Sequence, residues 1–121
     1  MLSAAPVSPV VQQSPQALVE LAESEFAAGR IDESIALSNR ARELDPFSLS
    51  ISAQRGFLLE NARRYDEAIE QLRGVIAMDP GHYQAYWFLG HAYAANKQFD
   101  EAVAAAEKAV DASAGTARGL A

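Results

Sequence analysis

The sequence predicts an all-α protein built from repeated helix pairs, because a period of about 34 residues runs through it, a length typical of stacked helix–turn–helix units. Arg64–Ile69 (Arg-Tyr-Asp-Glu-Ala-Ile) has counterparts one period earlier, at Arg30–Ile35, and one period later, at Gln98–Val103. Two Asp-Pro dipeptides, at 45–46 and 79–80, share the same spacing. No segment shows the period-two alternation of a half-buried strand.

Composition narrows the class of protein further. A chain of 121 residues fits one domain, and its net charge of −6 argues against nucleic acid as a partner. The absence of cysteine excludes disulfides and thiolate metal sites and fits a reducing compartment. Residues 1–14 contain no Lys or Arg, and no apolar run approaches the roughly 20 residues of a membrane span. We therefore expect a cytoplasmic protein that contacts no membrane.

Capping residues, prolines and glycines predict where the helices begin and end. Residues 1–14 contain two prolines and lack helical periodicity, so they are expected to form a flexible leader. Ser14-Pro15 is typical of a helix start, and the Asp-Pro dipeptides are expected to end helices. An aspartate opens the second helix of each pair, where its carboxylate could accept backbone N–H groups and would suit the helix dipole. Six helices are predicted, at about 15–28, 32–44, 48–61, 66–78, 82–95 and 100–113.

The helix pairs resemble the tetratricopeptide repeat (TPR) family. The residues that carry this resemblance are Leu18, Leu21, Ala41 and Pro46 in the first pair, Gly56, Ala68 and Pro80 in the second, and Tyr86, Leu89, Gly90, Tyr93, Ala102 and Ala109 in the third. The resemblance implies a right-handed solenoid of antiparallel helix pairs, a TPR-like superhelix, with three repeats over residues 15–113. Leu120 lies one period after Tyr86, so residues 114–121 are expected to begin a truncated fourth repeat.

Two charged residues depart from the apolar family pattern. Glu25 stands where Leu59 and Tyr93 stand in the other pairs, and Arg55 stands where Leu21 and Leu89 stand. Either the first repeat carries the polar face that is expected of a terminal repeat, or Glu25 and Arg55 form an ion pair.

The sequence contains no convincing catalytic constellation. His82 and His91 are the only histidines, and their nine-residue separation does not place them on one face of a helix. The acidic pairs recur at helix starts, where capping explains them better than general acid–base chemistry. The glycines are scattered and form no phosphate-binding loop. We therefore expect no enzymatic activity, no metal and no cofactor.

The resemblance implies that the first helix of each pair lines a concave surface. Carried over by register, the candidate peptide-binding residues are Val19, Glu23, Phe26, Ala53, Phe57, Glu60, Gln84, Trp87 and His91. Aromatic anchors with sparse charges are typical of binding hot spots. The acids in this set favour a partner segment that is apolar and neutral to basic. The sequence therefore predicts a scaffold that binds a protein or peptide segment.

A second interpretation is that the chain has no separate ligand. The last helix carries Val103, Ala106 and Val110, and no complete helix follows to cover them. These residues are candidates for self-association, through a homodimer that uses the C-terminal helix. The chain would then be a structural or self-associating segment of a larger regulatory protein.

Overall fold

The computed structural model describes residues 14–117, with side chains through Ala114, and these residues form six helices and no strand. This confirms the all-α class. The helices are α1 (Pro15–Ala27), α2 (Ile31–Leu44), α3 (Leu49–Asn61), α4 (Tyr65–Met78), α5 (Tyr83–Ala95) and α6 (Phe99–Ala117). Their bounds agree with the sequence analysis to within about a residue, except that α6 extends to Ala117.

Two predictions concern the ends of the chain. Apart from Ser14, the leader lies outside the described residues. Residues 114–117 continue α6, and residues 118–121 again lie outside the described part. The start of a fourth repeat therefore stays a prediction.

The chain divides into two compact units after Ile51. In the first unit, α1 packs against α2, and Leu18, Ala41 and Ile51 form a buried cluster. Two buried hydroxyls sit between these helices: the Ser34 hydroxyl donates to the Ala22 carbonyl at 2.7 Å, and Ser38 is also fully buried. The core of this unit is therefore more polar than that of an ordinary helix pair.

The second unit contains the rest of α3 together with α4, α5 and α6. Helix α5 packs against both α4 and α6. Between α3 and α4, a Cβ atom placed on Gly56 would lie 2.5 Å from Cγ of the fully buried Leu72. The Arg55 side chain also donates to the Gln71 amide oxygen at 2.7 Å. The glycine therefore marks a close approach of two helices.

The turns inside the three helix pairs share one backbone geometry. Gly29, Arg63 and Lys97, spaced one period apart, have φ angles of 83°, 64° and 64°. The next N–H bonds the carbonyl five residues back in each case, at 2.9, 2.9 and 2.8 Å. This is the Schellman arrangement, which satisfies carbonyls at a helix end. The period of the sequence is thus a period of the backbone as well.

The helix starts correct one prediction and confirm two others. The N-caps of α2 and α4 are Arg30 and Arg64, with no side-chain cap hydrogen bond, and the acids fall in the first turn. Of the two roles expected of Asp32 and Asp66, capping is therefore excluded, and their position in the first turn suits the helix dipole. The Ser14 hydroxyl does cap α1, accepting from the Ala17 N–H at 3.3 Å. Both pre-proline aspartates leave the helical conformation, with φ of −141°.

Glu25 and Arg55 belong to different units, and each has a hydrogen-bond partner within its own unit, so the ion pair suggested between them stays a prediction. Glu25 accepts two hydrogen bonds from the Arg30 guanidinium, at 2.5 and 2.9 Å, and this bonding lowers the pKa of the Glu25 carboxyl. Arg55 donates a hydrogen bond to the Gln71 amide oxygen. Glu25 therefore ties the turn of its own pair together.

Candidate protein-interaction surface

Helix α5 presents an exposed tryptophan. Its buried side consists of small and aliphatic residues, Ala85, Leu89, Gly90 and Ala92. Trp87 and His91 lie one turn apart on another side of the helix, and both are exposed, with 42% of Trp87 accessible. An indole this exposed contributes little to the core of the unit.

A groove between α5 and α6 adjoins Trp87. It encloses about 380 Å³ and is lined by Trp87, Gly90, His91, Ala94, Phe99, Ala102, Val103 and Ala106. We call these eight residues the α5–α6 groove. Nearly all of them are apolar, and the largest are well exposed, with 63% of Phe99 and 60% of Val103 accessible. An exposed apolar surface of this kind is typical of interaction sites.

This groove joins residues that the sequence analysis assigns to two different surfaces. Trp87 and His91 are candidates for the peptide-binding surface, whereas Val103 and Ala106 are candidates for self-association. In the structure the four residues line one groove. Val110 is exposed further along α6 and does not line it.

Two residues of α3 lie close to the exposed face of α5. The Phe57 ring packs against Phe88, with centroids 5.1 Å apart and planes tilted by 43°. Burial raises the pKa of the half-buried Glu60 carboxyl, and the nearby charge of His91 acts in the opposite direction. The Phe57–Phe88 contact therefore places this part of α3 against α5, and an electrostatic interaction connects Glu60 with His91, one turn from Trp87.

The remaining predicted residues have different environments. Ala53 is buried, with 1% accessible, so it belongs to the core and offers no binding surface. Gln84 is exposed on α5. In the first unit, Val19 packs against the Leu18 cluster, Glu23 is exposed and Phe26 is half-buried.

Sequence reasoning misses Phe99 as a surface residue. The register places Phe99 on the stripe of α6 that faces α5, because its counterpart in the second pair is Tyr65. Tyr65 is half-buried, whereas Phe99 is exposed at the mouth of the groove.

A second cavity lies between α4 and α5 and is more polar. It encloses about 620 Å³, and its apolar lining includes Ile69 and Ile76 from α4 and Tyr86, Leu89 and Tyr93 from α5. These residues show which face of α5 is turned towards α4.

Metal sites and membrane spans are both absent from the described part of the chain. Within residues 14–117, no group of three His, Asp or Glu side chains is arranged to hold a metal ion. None of the helices described has the length and apolar character needed to cross a membrane.

The chain belongs to the tetratricopeptide repeat family. The family's sequence profile matches residues 55–117, just over half of the chain, and this range includes the α5–α6 groove. Proteins of this family are generally non-enzymatic protein-interaction modules. A comparison with curated protein sequences gives no significant match.

Solved structures share the fold. MamA is 26% identical, with a TM-score of 0.75 over 88% of this chain. YrrB, a TPR protein with an unusual peptide-binding site, is 26% identical, with a TM-score of 0.74 over 82% of the chain. The first TPR domain of human RPAP3 is 20% identical, with a TM-score of 0.77 over 84% of this chain and 80% of its own. The chain spans 63% of the length of MamA and 51% of that of YrrB.

Proposed function

We propose that this chain binds a segment of another protein through the exposed face of α3 and α5. The proposed contact residues are Phe57, Glu60, Gln84, Trp87 and His91, which we call the Trp87 surface. The observation that carries the proposal is the exposure of Trp87, the only tryptophan of the chain, at 42%. Tryptophan is enriched among the residues that dominate binding energy, because it buries a large area on association.

The chemistry of this surface indicates what kind of segment it would bind. Trp87 and the half-buried Phe57 offer aromatic area to an apolar anchor residue. The partly buried Glu60 carboxyl would be stabilised in its charged form by a nearby lysine or arginine. The segment is therefore apolar and neutral to basic.

Similarity to a peptide-binding protein supports this proposal. YrrB, at 26% identity, is a TPR protein with an unusual peptide-binding site. The concave groove implied by the family resemblance would also include Val19, Glu23 and Phe26 of the first unit. Their part in binding stays a prediction, as does the cytoplasmic location.

Fluorescence of Trp87 provides a direct test. Peptides selected on an array should shift the emission of Trp87 when they bind beside it. Because Trp87 is the only tryptophan in the chain, any shift can be assigned to this site. Trp87→Ala should then weaken the binding of a selected, labelled peptide by about 2 kcal/mol, or roughly 30-fold. Met78→Ala is the matched control, since Met78 is an exposed apolar residue of the same unit that lies outside this surface.

Circular dichroism would establish that both variants are folded. Affinity that is unchanged in folded Trp87→Ala would reject Trp87 as the anchor.

The second candidate function is self-association. The exposure of Val103 and Val110, at 60% and 56%, favours it. Sedimentation equilibrium separates the two functions: a dimer that persists at micromolar concentration, without any change in Trp87 emission across the peptide array, would favour the self-associating segment.

A further inference from the structure

The α5–α6 groove has an internal counterpart in the second helix pair. One period before its positions lies the corresponding surface of α3 and α4, which includes Ala53, Gly56, Phe57, Tyr65, Ala68, Ile69 and Leu72. Four of these residues are buried and the other three are half-buried. In the third pair their counterparts Trp87, His91, Phe99 and Val103 are exposed, whereas Gly90 is buried and Ala102 and Ala106 are half-buried. Four of the seven positions are therefore exposed in the third pair, whereas none of them is exposed in the second.

Helix α5 packs on part of this second-pair surface. Its Phe88 ring packs on Phe57, which is the counterpart of His91. Its Tyr86 and Leu89 line a shared cleft with Ile69, which is the counterpart of Val103. A surface with this residue pattern thus accepts a helix in this protein.

The covering face of α5 defines the chemistry of such a helix. Tyr86, Leu89 and Tyr93 lie at i, i+3 and i+7, and Phe88 is adjacent to that stripe. A helix that docks in the α5–α6 groove in the same manner would carry aromatic or leucine residues at these spacings. This is the helix-in-groove mode of recognition, in which an amphipathic helix lays its apolar face into an apolar groove.

Charge on α6 adds a preference for basic flanks. Its exposed charged residues comprise four acids and one base: Asp100, Glu101, Glu107, Asp111 and Lys108. Lysine or arginine on the outer face of a docking helix would complement this excess of negative charge and speed association.

A second copy of the chain, stacked head to tail, fits the groove poorly. Its α1 would take the place that α5 takes on the second pair, because α1 lies two periods before α5. The counterparts of Phe88 and Ala92 in α1 are Glu20 and Ser24, both exposed. Docking would bring the Glu20 carboxylate to an apolar surface without a cation, which is costly.

We propose that the α5–α6 groove is a second docking site, which binds an amphipathic helix of a partner protein that has an apolar stripe at i, i+3 and i+7 and basic flanks. This goes beyond segment binding by the Trp87 surface, with which the groove shares only Trp87 and His91. In this complex, the helix of the partner protein would pack on α5 and α6 as α5 packs on the second pair.

The test uses the full chain and a synthetic helix-stabilised peptide. The peptide carries Tyr, Phe, Leu and Tyr at the spacing of Tyr86, Phe88, Leu89 and Tyr93, with lysines on its other face. A peptide of identical composition with these four residues dispersed around the helix is the control. Binding is measured by fluorescence anisotropy of the labelled peptide, at several salt concentrations.

Two variants at neighbouring positions of α6 give a matched pair. Val103→Glu introduces a carboxylate in the groove, whereas Ala104→Glu introduces one at the next residue, which is also exposed but does not line the groove. We expect Val103→Glu to weaken peptide binding by about tenfold or more, because the carboxylate would be buried without a partner, and Ala104→Glu to leave it nearly unchanged.

Each outcome decides the proposal. Binding of the patterned peptide alone, lost in Val103→Glu and kept in Ala104→Glu and Glu60→Gln, supports it. Equal binding of both peptides, no saturable binding, or equal losses in the two α6 variants would overturn it. A dimer that Val103→Glu dissociates and that the peptide does not displace would assign the groove to a second copy instead. The Trp87 surface is judged separately by the array-selected peptides.

Discussion

The second and third helix pairs place equivalent residues in opposite environments. Ala53 is 1% accessible, and its counterpart Trp87 is 42% accessible. Tyr65 is half-buried, and its counterpart Phe99 is 63% accessible. The backbone register is the same in both pairs, but among the described residues a further helix packs only on the second. A residue's position within the repeat therefore does not by itself determine whether the residue is buried. Its burial also depends on whether another helix packs on the pair.

The largest expected effect on stability is the difference between shortening Leu72 in the second pair and shortening Val103 in the third. Leu72 is fully buried between α3 and α4, so Leu72→Ala should lower the free energy of unfolding by about 2–5 kcal/mol. Val103→Ala removes an exposed side chain and should change it by less than about 0.5 kcal/mol. Urea denaturation followed by circular dichroism measures both. Similar losses in the two variants would mean that the third pair is as well covered as the second.

The two glycines at equivalent positions should respond with opposite signs. A Cβ at Gly56 meets Leu72 at 2.5 Å, so Gly56→Ala should cost about 1–3 kcal/mol through overpacking. A Cβ at Gly90 meets only ordinary contacts, the nearest being the Ala102 carbonyl oxygen at 3.5 Å. Gly90→Ala should therefore stabilise the chain by up to about 1 kcal/mol, because alanine favours the helix.

Thermal and urea unfolding of the two glycine variants would show whether Gly56→Ala lowers the free energy of unfolding and Gly90→Ala raises it. Destabilisation by Gly90→Ala would show that α5 and α6 approach as closely as α3 and α4. Gly90→Leu, whose longer side chain would extend towards α6, should be destabilising in either case.

The smallest expected effect concerns Glu60, at the boundary between the second and third pairs. Burial raises the pKa of its carboxyl in the folded state, so the folded protein favours the protonated form. The resulting penalty is absent at acidic pH and develops as the pH rises through the folded-state pKa. Glu60→Gln should therefore be more stable than the wild type at neutral pH and equally stable in acid. Urea midpoints at several pH values test this, and a constant difference would exclude burial as the cause.

The repeat architecture could be predicted from sequence because it depends on local signals. The repeat period, the Asp-Pro dipeptides and Ser14-Pro15 each constrain the backbone directly, and the helices begin and end almost where these signals place them. Of the two roles predicted for the aspartates at the helix starts, capping is wrong for α2 and α4, whereas a place in the first turn, near the positive end of the helix dipole, is found.

The surface is harder to predict because exposure depends on contacts between helices. Ala53 is predicted to line a groove, although it is almost completely buried in the structure. Phe99 is assigned to the facing stripe of α6 by analogy with Tyr65, and its exposure depends on which helix comes next. The joining of Trp87 with Val103 in one groove requires the relative placement of α5 and α6.

The buried serines of the first pair have a consequence for how the molecule opens. Ser34 and Ser38 occupy the positions of Ala68 and Leu72, so hydroxyls replace a methyl and an isobutyl group between α1 and α2. Less apolar area is buried there, and transient separation of these two helices costs correspondingly less free energy. Amide protons of α1 and α2 should therefore exchange with deuterium before those of α4 and α5, which would give the chain one loose unit and one firmly packed unit.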